Sequence, residues 1–237
     1  MRLDKFLSNM GKASRTESGK LARAGKILVN GAAVKRADVH IDPEKDTVTL
    51  CGSPVIYKKF TYIMLNKPAG YVSATDDPRE MTVLDLLPEE ERRKNLFPCG
   101  RLDKDTLGLV ILTNDGENAH RLLSPKHHAD KAYVFKALKP LSLSQAQLLE
   151  GGVDIGGYLT KPCKITLDSD LMGGVIVLTE GKYHQIKRML EAVDNKITYL
   201  ERISFAGIKL DRSLERGMWR FLTKDEESLF TKGENKI

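Results

Sequence analysis

A short stretch near the middle of the chain combines residue types that could catalyse a reaction. The sequence GRLDKDTLGLVILT begins at Gly100, and the aliphatic run from Leu107 predicts a strand. Leu102 can pack in the core while Arg101 and Asp103 project the other way. A carboxylate held in a cleft beside a cation stays ionised and can act as a nucleophile. The alternative is an exposed turn whose charged residues pair with one another on the surface.

A second stretch, EGKYHQIKRML from Glu180, opens a predicted helix with a glycine and places several polar residues near its start. Lys187 and Arg188 lie on different faces of this helix, and either could point into a cleft. A basic helical face that is simply solvated is the alternative. Three residues at helical spacing are expected to form the core face of the helix: Tyr183, Ile186 and Leu190.

The positive charge of the chain is concentrated at its N-terminus. Residues 1–59 contain 12 Lys and Arg against 6 Asp and Glu, so this segment holds the whole formal net charge of +6. A basic N-terminal segment on an otherwise neutral chain indicates that this segment binds a polyanionic partner. A basic surface that only interacts with water is the alternative.

Local patterns predict two helices and a hairpin in this segment. Apolar residues at helical spacing define the first helix, from which Asp4 should point into solvent. Ser14 and Glu17 form a capping-box pattern that begins the second helix. Asn30-Gly31 between two short apolar runs predicts a hairpin. The apolar face of the first helix comprises Leu3, Phe6, Leu7 and Met10.

The rest of the chain alternates predicted strands and helices in an irregular order. This order favours an α+β fold with a mixed or antiparallel sheet over a doubly wound parallel one. The polar segment Ser53–Phe60 is interpreted as a connection between two domains. We therefore predict domains over residues 1–59 and 60–231, followed by a C-terminal tail over 232–237.

Several classes of protein are disfavoured by what the sequence lacks. No apolar stretch approaches the roughly 18 residues of a membrane span, and the N-terminus has no apolar block typical of a signal peptide. We therefore expect a cytoplasmic protein. Three widely separated cysteines predict reduced thiols rather than disulfides or a zinc site. No glycine motif for phosphate binding occurs, so no nucleotide cofactor is expected.

The N-terminal segment resembles the S4 RNA-binding domain in the stretch SRTESGKLARAGKILVNGAAV. S4 domains bind structured RNA by shape and charge, as suits the A-form helix, whose major groove side chains cannot read. Seven cations lie on or beside the predicted helix pair: Arg2, Lys5, Lys12, Arg15, Lys20, Arg23 and Lys26. The residues predicted to contact RNA are Arg2, Lys5, Arg15, Lys20 and Arg23.

The larger part of the chain resembles the pseudouridine synthases of the small-subunit-rRNA type, the RsuA/RluB/RluF-like family. Four stretches carry the resemblance, in the family's order: LNKPAGYVSA, GRLDKDTLGLVILTNDG, SPKHHADKAYVFKA and EGKYHQIKRML. The resemblance implies an α+β fold in which the S4 domain precedes a catalytic domain on a mixed, mainly antiparallel sheet. It also implies the isomerisation of uridine to pseudouridine in ribosomal RNA, with no cofactor because no group enters or leaves.

The resemblance also implies roles for individual residues. Asp103 matches the family's nucleophile, which attacks either C1′ of the ribose or C6 of the base. Arg101 matches the arginine that fills the space left by the extruded uridine. Tyr133 matches the tyrosine that stacks on the flipped base and handles its proton. Lys187 matches the basic partner of the aspartate, although many relatives have arginine there, which leaves Arg188 as an alternative. Two further residues are predicted to contact RNA: Gln185 and Arg188.

The identity of the target uridine depends on RNA shape. The opening MRLDKFL and the NKPAGYVSATDDP loop look most like the enzyme that modifies uridine 516 of 16S rRNA in the usual numbering. A sister enzyme acting on 23S rRNA is the next hypothesis, and a non-catalytic S4-type ribosome-assembly protein is a third. His127 and His128 have no carboxylate or cysteine at metal-ligand spacing, so we predict loop residues near RNA and no metal. A monomer is expected.

Overall fold

The computed structural model describes residues 1–92, 94–124 and 129–232. His127 and His128, and the predicted tail beyond residue 232, lie outside the described residues. The chain divides into two compact units, one formed by Met1–Thr61 with Leu84–Phe97 and the other by Tyr62–Val83 with Pro98–Ile237. The boundary near residue 60 stays a prediction. None of the described helices has the length and apolar character needed to cross a membrane.

The first unit contains short helices and a small sheet with the strand order β2-β1-β3-β4, in which neighbouring strands are antiparallel. Its apolar core includes the predicted face of the first helix. The elements are α1 (Leu3–Asn9), α2 (Arg15–Arg23), β1 (Ile27–Val29), β2 (Ala32–Ala33), β3 (Val48–Leu50), β4 (Ser53–Val55) and α3 (Glu89–Arg92).

The predicted cap and hairpin are confirmed. The Ser14 side chain accepts a hydrogen bond from the Glu17 amide at 3.2 Å, and the Glu17 carboxylate accepts one from the Ser14 amide at 2.7 Å. This reciprocal pair satisfies two amides that the helix itself cannot. Asn30 and Gly31 have φ values of 51° and 80°, the left-handed conformations that a tight two-residue hairpin turn needs. They connect β1 and β2 antiparallel.

The prediction that Asp4 faces solvent is wrong. Asp4 is only 5 % exposed, and its carboxylate pairs with the Arg2 guanidinium at 2.6 Å. The cause is nonlocal, because the Asp4 amide donates to the Ala37 carbonyl and the Leu3 amide donates to the Val39 carbonyl. The chain around residues 37–39 therefore covers the side of α1 that periodicity assigned to water.

The interpretation of Ser53–Phe60 as a connection is wrong at its start. Ser53–Val55 forms β4, which continues the small sheet by antiparallel pairing with β3. Cys51 and Gly52 have φ values of 49° and 82° and make the tight turn between these strands. Val55 is thereby buried in the core of the unit.

The second unit is built on one large sheet. The described residues contribute nine strands to it: β5 (Tyr62–Lys67), β6 (Phe97–Cys99), β7 (Leu107–Thr113), β8 (Lys131–Ala137), β9 (Lys164–Leu167), β10 (Gly173–Leu178), β11 (Ile197–Phe205), β12 (Ile208–Lys209) and β13 (Trp219–Phe221). The main order is β13-β5-β7-β11-β8-β10-β9, with β6 beside β7 and β12 beside β11.

The sheet is mixed, as predicted. β7 and β11 run parallel, whereas the pairs β13–β5, β5–β7, β11–β8, β8–β10 and β10–β9 are antiparallel. The parallel pair comes close at Gly108, where a Cβ would collide with the Arg202 carbonyl and φ is 97°. Only glycine tolerates both conditions. The α+β prediction with a mainly antiparallel sheet is confirmed.

Helices pack beside this sheet: α4 (Gly116–Leu123), α5 (Leu143–Gly151), α6 (Gln185–Glu191) and α7 (Lys224–Lys232). Of the two serines that could cap α5, Ser142 does so, in a capping box with Gln145. The prediction that Tyr183 belongs to the core face of α6 is wrong, because Tyr183 is 75 % exposed. The helix begins two residues later than the periodicity indicated, after His184 in a left-handed conformation with a φ of 50°.

Candidate active site

Asp103 lies in the loop that connects β6 to β7. Leu102 beside it is buried and Arg101 is exposed, so the alternation expected from the sequence is present. The Thr106 amide donates to the Asp103 carbonyl at 3.1 Å, which closes a tight turn just before β7 begins. The aspartate therefore stands at the entrance to a buried strand.

Two buried side chains fix the first half of this loop. The Ser73 hydroxyl accepts from the Leu102 amide at 3.0 Å and donates to the Leu102 carbonyl at 2.9 Å. The Arg202 guanidinium donates to the Gly100 carbonyl at 3.1 Å and to the Leu109 carbonyl at 2.8 Å. The backbone on both sides of Asp103 is thus tied to the sheet.

Lys67 fixes the second half of the loop. Its ammonium is fully buried and donates to the carbonyls of Lys104 and Thr106, at 3.0 and 2.8 Å, and of Pro68 at 3.0 Å. Burial lowers the pKa of Lys67 to about 8, and nearby acidic residues, among them Asp105, oppose this change. Sequence reasoning missed Lys67, Ser73 and Arg202. For two of them the sequence does contain a signal, since Lys67 ends an otherwise mostly apolar strand and Arg202 lies inside another strand.

Asp103 and Lys187 form an ion pair. The Lys187 ammonium lies 3.0 Å from Asp103 Oδ2 and 2.6 Å from Asp105 Oδ1. The Asp103 side chain is 28 % exposed, and that of Asp105 is 71 % exposed. The picture of an exposed turn with only mutual partners is therefore wrong, since the partner comes from α6.

The electrostatics favour a charged lysine in this cluster. Burial lowers the pKa of Lys187, but hydrogen bonds to Asp105 and Asp103 together with their charges outweigh that effect and raise the pKa above its ordinary value. Lys187 thus remains an ammonium next to Asp103. Arg188 does not take this place, because its guanidinium lies beside Gly156, where a Cβ would be 2.7 Å from Nη2.

Tyr133 shares a small cavity with the ion pair. The cavity has a volume of about 80 Å³, and its walls include Arg101, Asp103, Tyr133, Gln185 and Lys187. Tyr133 lies on β8, where alternate residues are buried. It is one of the buried residues, and it lines the cavity. Five of the residues that the sequence singled out therefore meet at one place, while their individual roles stay predictions.

Gln185 lines this cavity, but its amide is bonded within the protein. Gln185 is 4 % exposed, its Nε2 donates to Glu180 Oε1 at 2.7 Å, and its Oε1 accepts from the Lys182 amide at 2.9 Å. These bonds stabilise the turn that leads into α6. The geometry favours a positioning role for Gln185, and the predicted RNA contact is untested.

An exposed aromatic pair lies next to Asp103. The rings of Tyr183 and His184 stack with centroids 3.9 Å apart, and His184 Nε2 is 3.7 Å from Asp103 Oδ2. Neither residue was singled out for the site from the sequence. The described residues contain no group of three or more His, Cys, Asp or Glu that could hold a metal ion.

The basic residues of the first unit lie on its surface. All seven cations of α1, α2 and their flanks are exposed, and Arg2 is paired with the buried Asp4. The set includes every residue of this unit that was predicted to contact RNA. Their exposure is compatible with phosphate binding but does not test it.

Known pseudouridine synthases are similar to this protein along nearly the whole chain. Residues 61–154 match the model of the RNA pseudouridylate synthase family, and residues 1–48 match the S4 domain. The chain is 47 % identical over 95 % of its length to the uncharacterized RNA pseudouridine synthase YtzG of Bacillus subtilis, of which 96 % is covered. It is 40 % identical to the ribosomal small subunit pseudouridine synthase A of Escherichia coli K12, covering 95 % of this chain and 98 % of that protein.

A solved structure gives the same result for the fold. A crystal structure of a pseudouridylate synthase superimposes with a TM-score of 0.69 at 35 % identity, covering 97 % of this chain and 99 % of the other. Similarity therefore extends over both compact units.

Proposed function

Because the chain belongs to the RNA pseudouridylate synthase family and carries an S4 domain, we propose that it isomerises uridine 516 of 16S ribosomal RNA, with Asp103 as nucleophile. The chain is an isomerase of the small-subunit type by its relationship to that family. The observation that carries the assignment of Asp103 is its ion pair with Lys187 at 3.0 Å, in a cavity that Tyr133 also lines.

The reaction breaks the N1–C1′ bond, rotates the uracil and joins C5 to C1′. A base stacked in RNA is inaccessible, so the uridine must first flip out, which costs a few kcal/mol. Arg101 is exposed and lines the Asp103 cavity, and from there its side chain can enter the RNA helix and occupy the space that the base leaves. Binding of RNA by the S4 domain offsets the remaining cost.

The proposed steps assign one task to each residue. Asp103, paired with the Lys187 ammonium at 3.0 Å, forms a covalent adduct at C1′ as uracil departs, or at C6 of the ring. Tyr133 stacks on the flipped base and then accepts the proton that leaves C5. The proton lost from C5 is replaced by one at N1, so the product is an isomer of the substrate.

The target can be identified in cells that do and do not produce the protein. Carbodiimide treatment and primer extension of their rRNA should reveal one pseudouridine that depends on the protein, at position 516 of 16S rRNA. A dependent stop in 23S rRNA instead would overturn the target assignment and keep the chemistry. Intact modification of all rRNA in cells without the protein would contradict both.

Substitution of Lys187 tests the ion pair. We expect Lys187→Met to lower kcat by about 10²- to 10³-fold, because Asp103 loses the cation that orients it. Lys187→Arg should recover most of the activity, because arginine can also donate to the carboxylate. Arg188→Met is the matched control and should retain kcat; equal losses in both variants would contradict the assignment. Tritium release under multiple-turnover conditions at saturating RNA measures kcat.

The S4 domain is expected to bind RNA largely through phosphates. If about five cations contact phosphates, log affinity should fall against log salt with a slope of roughly −3 to −4, at about 0.7 per contact. Replacing Arg15, Lys20 and Arg23 with glutamine should reduce that slope by about 2. Lys45→Gln, which removes an exposed lysine outside the helix pair, should leave it unchanged. An unaltered slope in the triple variant, measured by fluorescence anisotropy, would exclude phosphate binding by these residues.

A further inference from the structure

A larger cleft adjoins the Asp103 cavity. It has a volume of about 490 Å³ and shares Arg101, Tyr133 and Lys182 with that cavity. Its walls are rich in positive charge, since the cations that line it are Arg101, Lys131, Lys161, Lys182 and Arg202. Among the described lining residues, Glu180 is the one carboxylate. We call this space the basic cleft.

Two of these cations are buried beside each other. Lys131 is 9 % exposed and Arg202 is 1 % exposed, and both lie near the Phe205 ring, at 5.6 and 5.4 Å from its centroid. In the described part of the chain, their hydrogen bonds go to backbone carbonyls, with Lys131 donating to Ala129 at 2.8 Å. A lysine ammonium has three donors, and the described residues supply an acceptor for one of them.

Burial of two positive charges beside each other is energetically unfavourable. Burial, together with the charge of Arg202, lowers the pKa of Lys131 to about 8, although the charges of Asp130 and Glu180 oppose the change. Buried charges are normally paired with an opposite charge. Two buried cations without a carboxylate hydrogen-bonded to either, among the described residues, indicate a site that is completed by an external anion.

Glu180 does not form a hydrogen-bonded pair with Lys131 or Arg202. Its Oε2 accepts from the Tyr158 hydroxyl at 2.7 Å, and its Oε1 accepts from the Lys161 amide at 3.0 Å and from Gln185 at 2.7 Å. The carboxylate is therefore held at the wall of the cleft by neutral donors. The basic cleft keeps an excess of positive charge next to the site of chemistry.

We propose that the basic cleft binds a backbone phosphate of the substrate RNA immediately beside the flipped uridine. The inference rests on the proposed function, because it takes the Asp103 cavity as the place of the uracil. A flipped nucleotide remains joined to its strand, so its flanking phosphates lie at the mouth of the cavity that holds the base. Lys182 lines both spaces, and Lys131 lines the basic cleft that adjoins the cavity, so both lysines belong to the space that such a phosphate would enter.

A bound phosphate would hold the RNA strand in place during base flipping. The strand must be held on the protein while the base is out of the stack, and a phosphate contact positions a nucleic acid without reading its sequence. Lys131 and Lys182 would hold the backbone, while Arg101 occupies the vacancy in the RNA helix. The residues of the basic cleft would thus fix the flipped conformation rather than select the target.

Single neutral linkages in the RNA test this inference. Methylphosphonate is placed at one linkage at a time on either side of the target uridine, and affinity is measured by anisotropy, separately from turnover. The wild-type protein should lose about tenfold in affinity at one linkage adjacent to the target, as expected for one charge-assisted contact. Lys131→Met and Lys182→Gln should lose about tenfold on unmodified RNA and then show less than about twofold further loss at that linkage.

Two controls separate this contact from other effects. Lys164→Met removes an exposed lysine of β9 outside both spaces, and it should keep the wild-type sensitivity to the neutral linkage. Lys131→Met should retain or raise the melting temperature, because it removes a buried charge that has no carboxylate hydrogen-bonded to it among the described residues. If Lys131 served only to stabilise the fold, the same substitution would lower the melting temperature. Should Lys131→Met fail to fold, Lys182→Gln alone carries the test, since Lys182 is exposed.

The results distinguish failure of the phosphate site from failure of the proposed function. Wild-type sensitivity to a neutral linkage that persists unchanged in Lys131→Met and Lys182→Gln would overturn the phosphate site, and so would the absence of any sensitive linkage. Absence of pseudouridine formation by a wild-type protein that does show the sensitive linkage would overturn the proposed function alone.

Discussion

Asp103→Asn is expected to reduce tritium release from C5-tritiated uridine in rRNA to background, a loss of at least about four orders of magnitude in kcat. The amide keeps the size of the side chain and an oxygen that can accept from Lys187, but it cannot attack carbon as a carboxylate does. RNA affinity should stay within about twofold of wild type, because the binding surface is unchanged. Wild-type turnover in this variant would refute the nucleophile assignment.

Asp105→Asn is the matched control for this experiment. Asp105 bonds to the same ammonium at 2.6 Å, yet its side chain is much more exposed than that of Asp103. We expect Asp105→Asn to decrease kcat less than about tenfold, since it removes only one of the two ion pairs that hold the Lys187 ammonium and leaves Asp103 in place. The reverse pattern, with Asp105→Asn inactive and Asp103→Asn active, would transfer the nucleophilic role to Asp105.

Tyr133→Phe should lower kcat by about 10²- to 10⁴-fold while KM changes little. The phenyl ring can still stack on the base, so binding and flipping persist, whereas the oxygen that accepts the C5 proton is lost. If Asp103 reacts before that proton leaves, the variant should accumulate a covalent protein–RNA adduct, visible as a slowly migrating band in a denaturing gel.

Isotopic substitution identifies the step that Tyr133 serves. With deuterium at C5, Tyr133→Phe should show a primary kinetic isotope effect on pseudouridine formation, because proton removal limits its rate. Tyr57→Phe, which alters a tyrosine of the other compact unit, should behave as wild type. A Tyr133→Phe variant with wild-type kcat would exclude the hydroxyl from the reaction.

The sequence was most informative where neighbouring residues decide the structure. The capping box at Ser14, the Asn30-Gly31 turn and the strand after Asp103 depend on contacts within a few residues, and all are present. Leu102 pointing inward beside Asp103 is of the same kind. Such features follow from local hydrogen bonding and from the alternation of a chain that enters a sheet.

The mistaken predictions have nonlocal causes. Tyr183 fits the helical spacing, but His184 adopts a left-handed conformation that starts the helix later, and spacing alone does not reveal it. Asp4 is covered by a segment more than thirty residues further along the chain. Lys67 and Arg202 bond to carbonyls that only the completed sheet brings to them. Sequence periodicity carries no information about such partners.

The bonds from Ser73, Lys67 and Arg202 to the loop of Asp103 have a consequence for thermal inactivation. They connect that loop to β5, to the segment after it and to β11, so the reactive carboxylate cannot drift from its place while those parts stay native. Catalysis and the sheet should therefore fail in a single cooperative event on heating, without a preceding interval in which a folded but inactive enzyme survives.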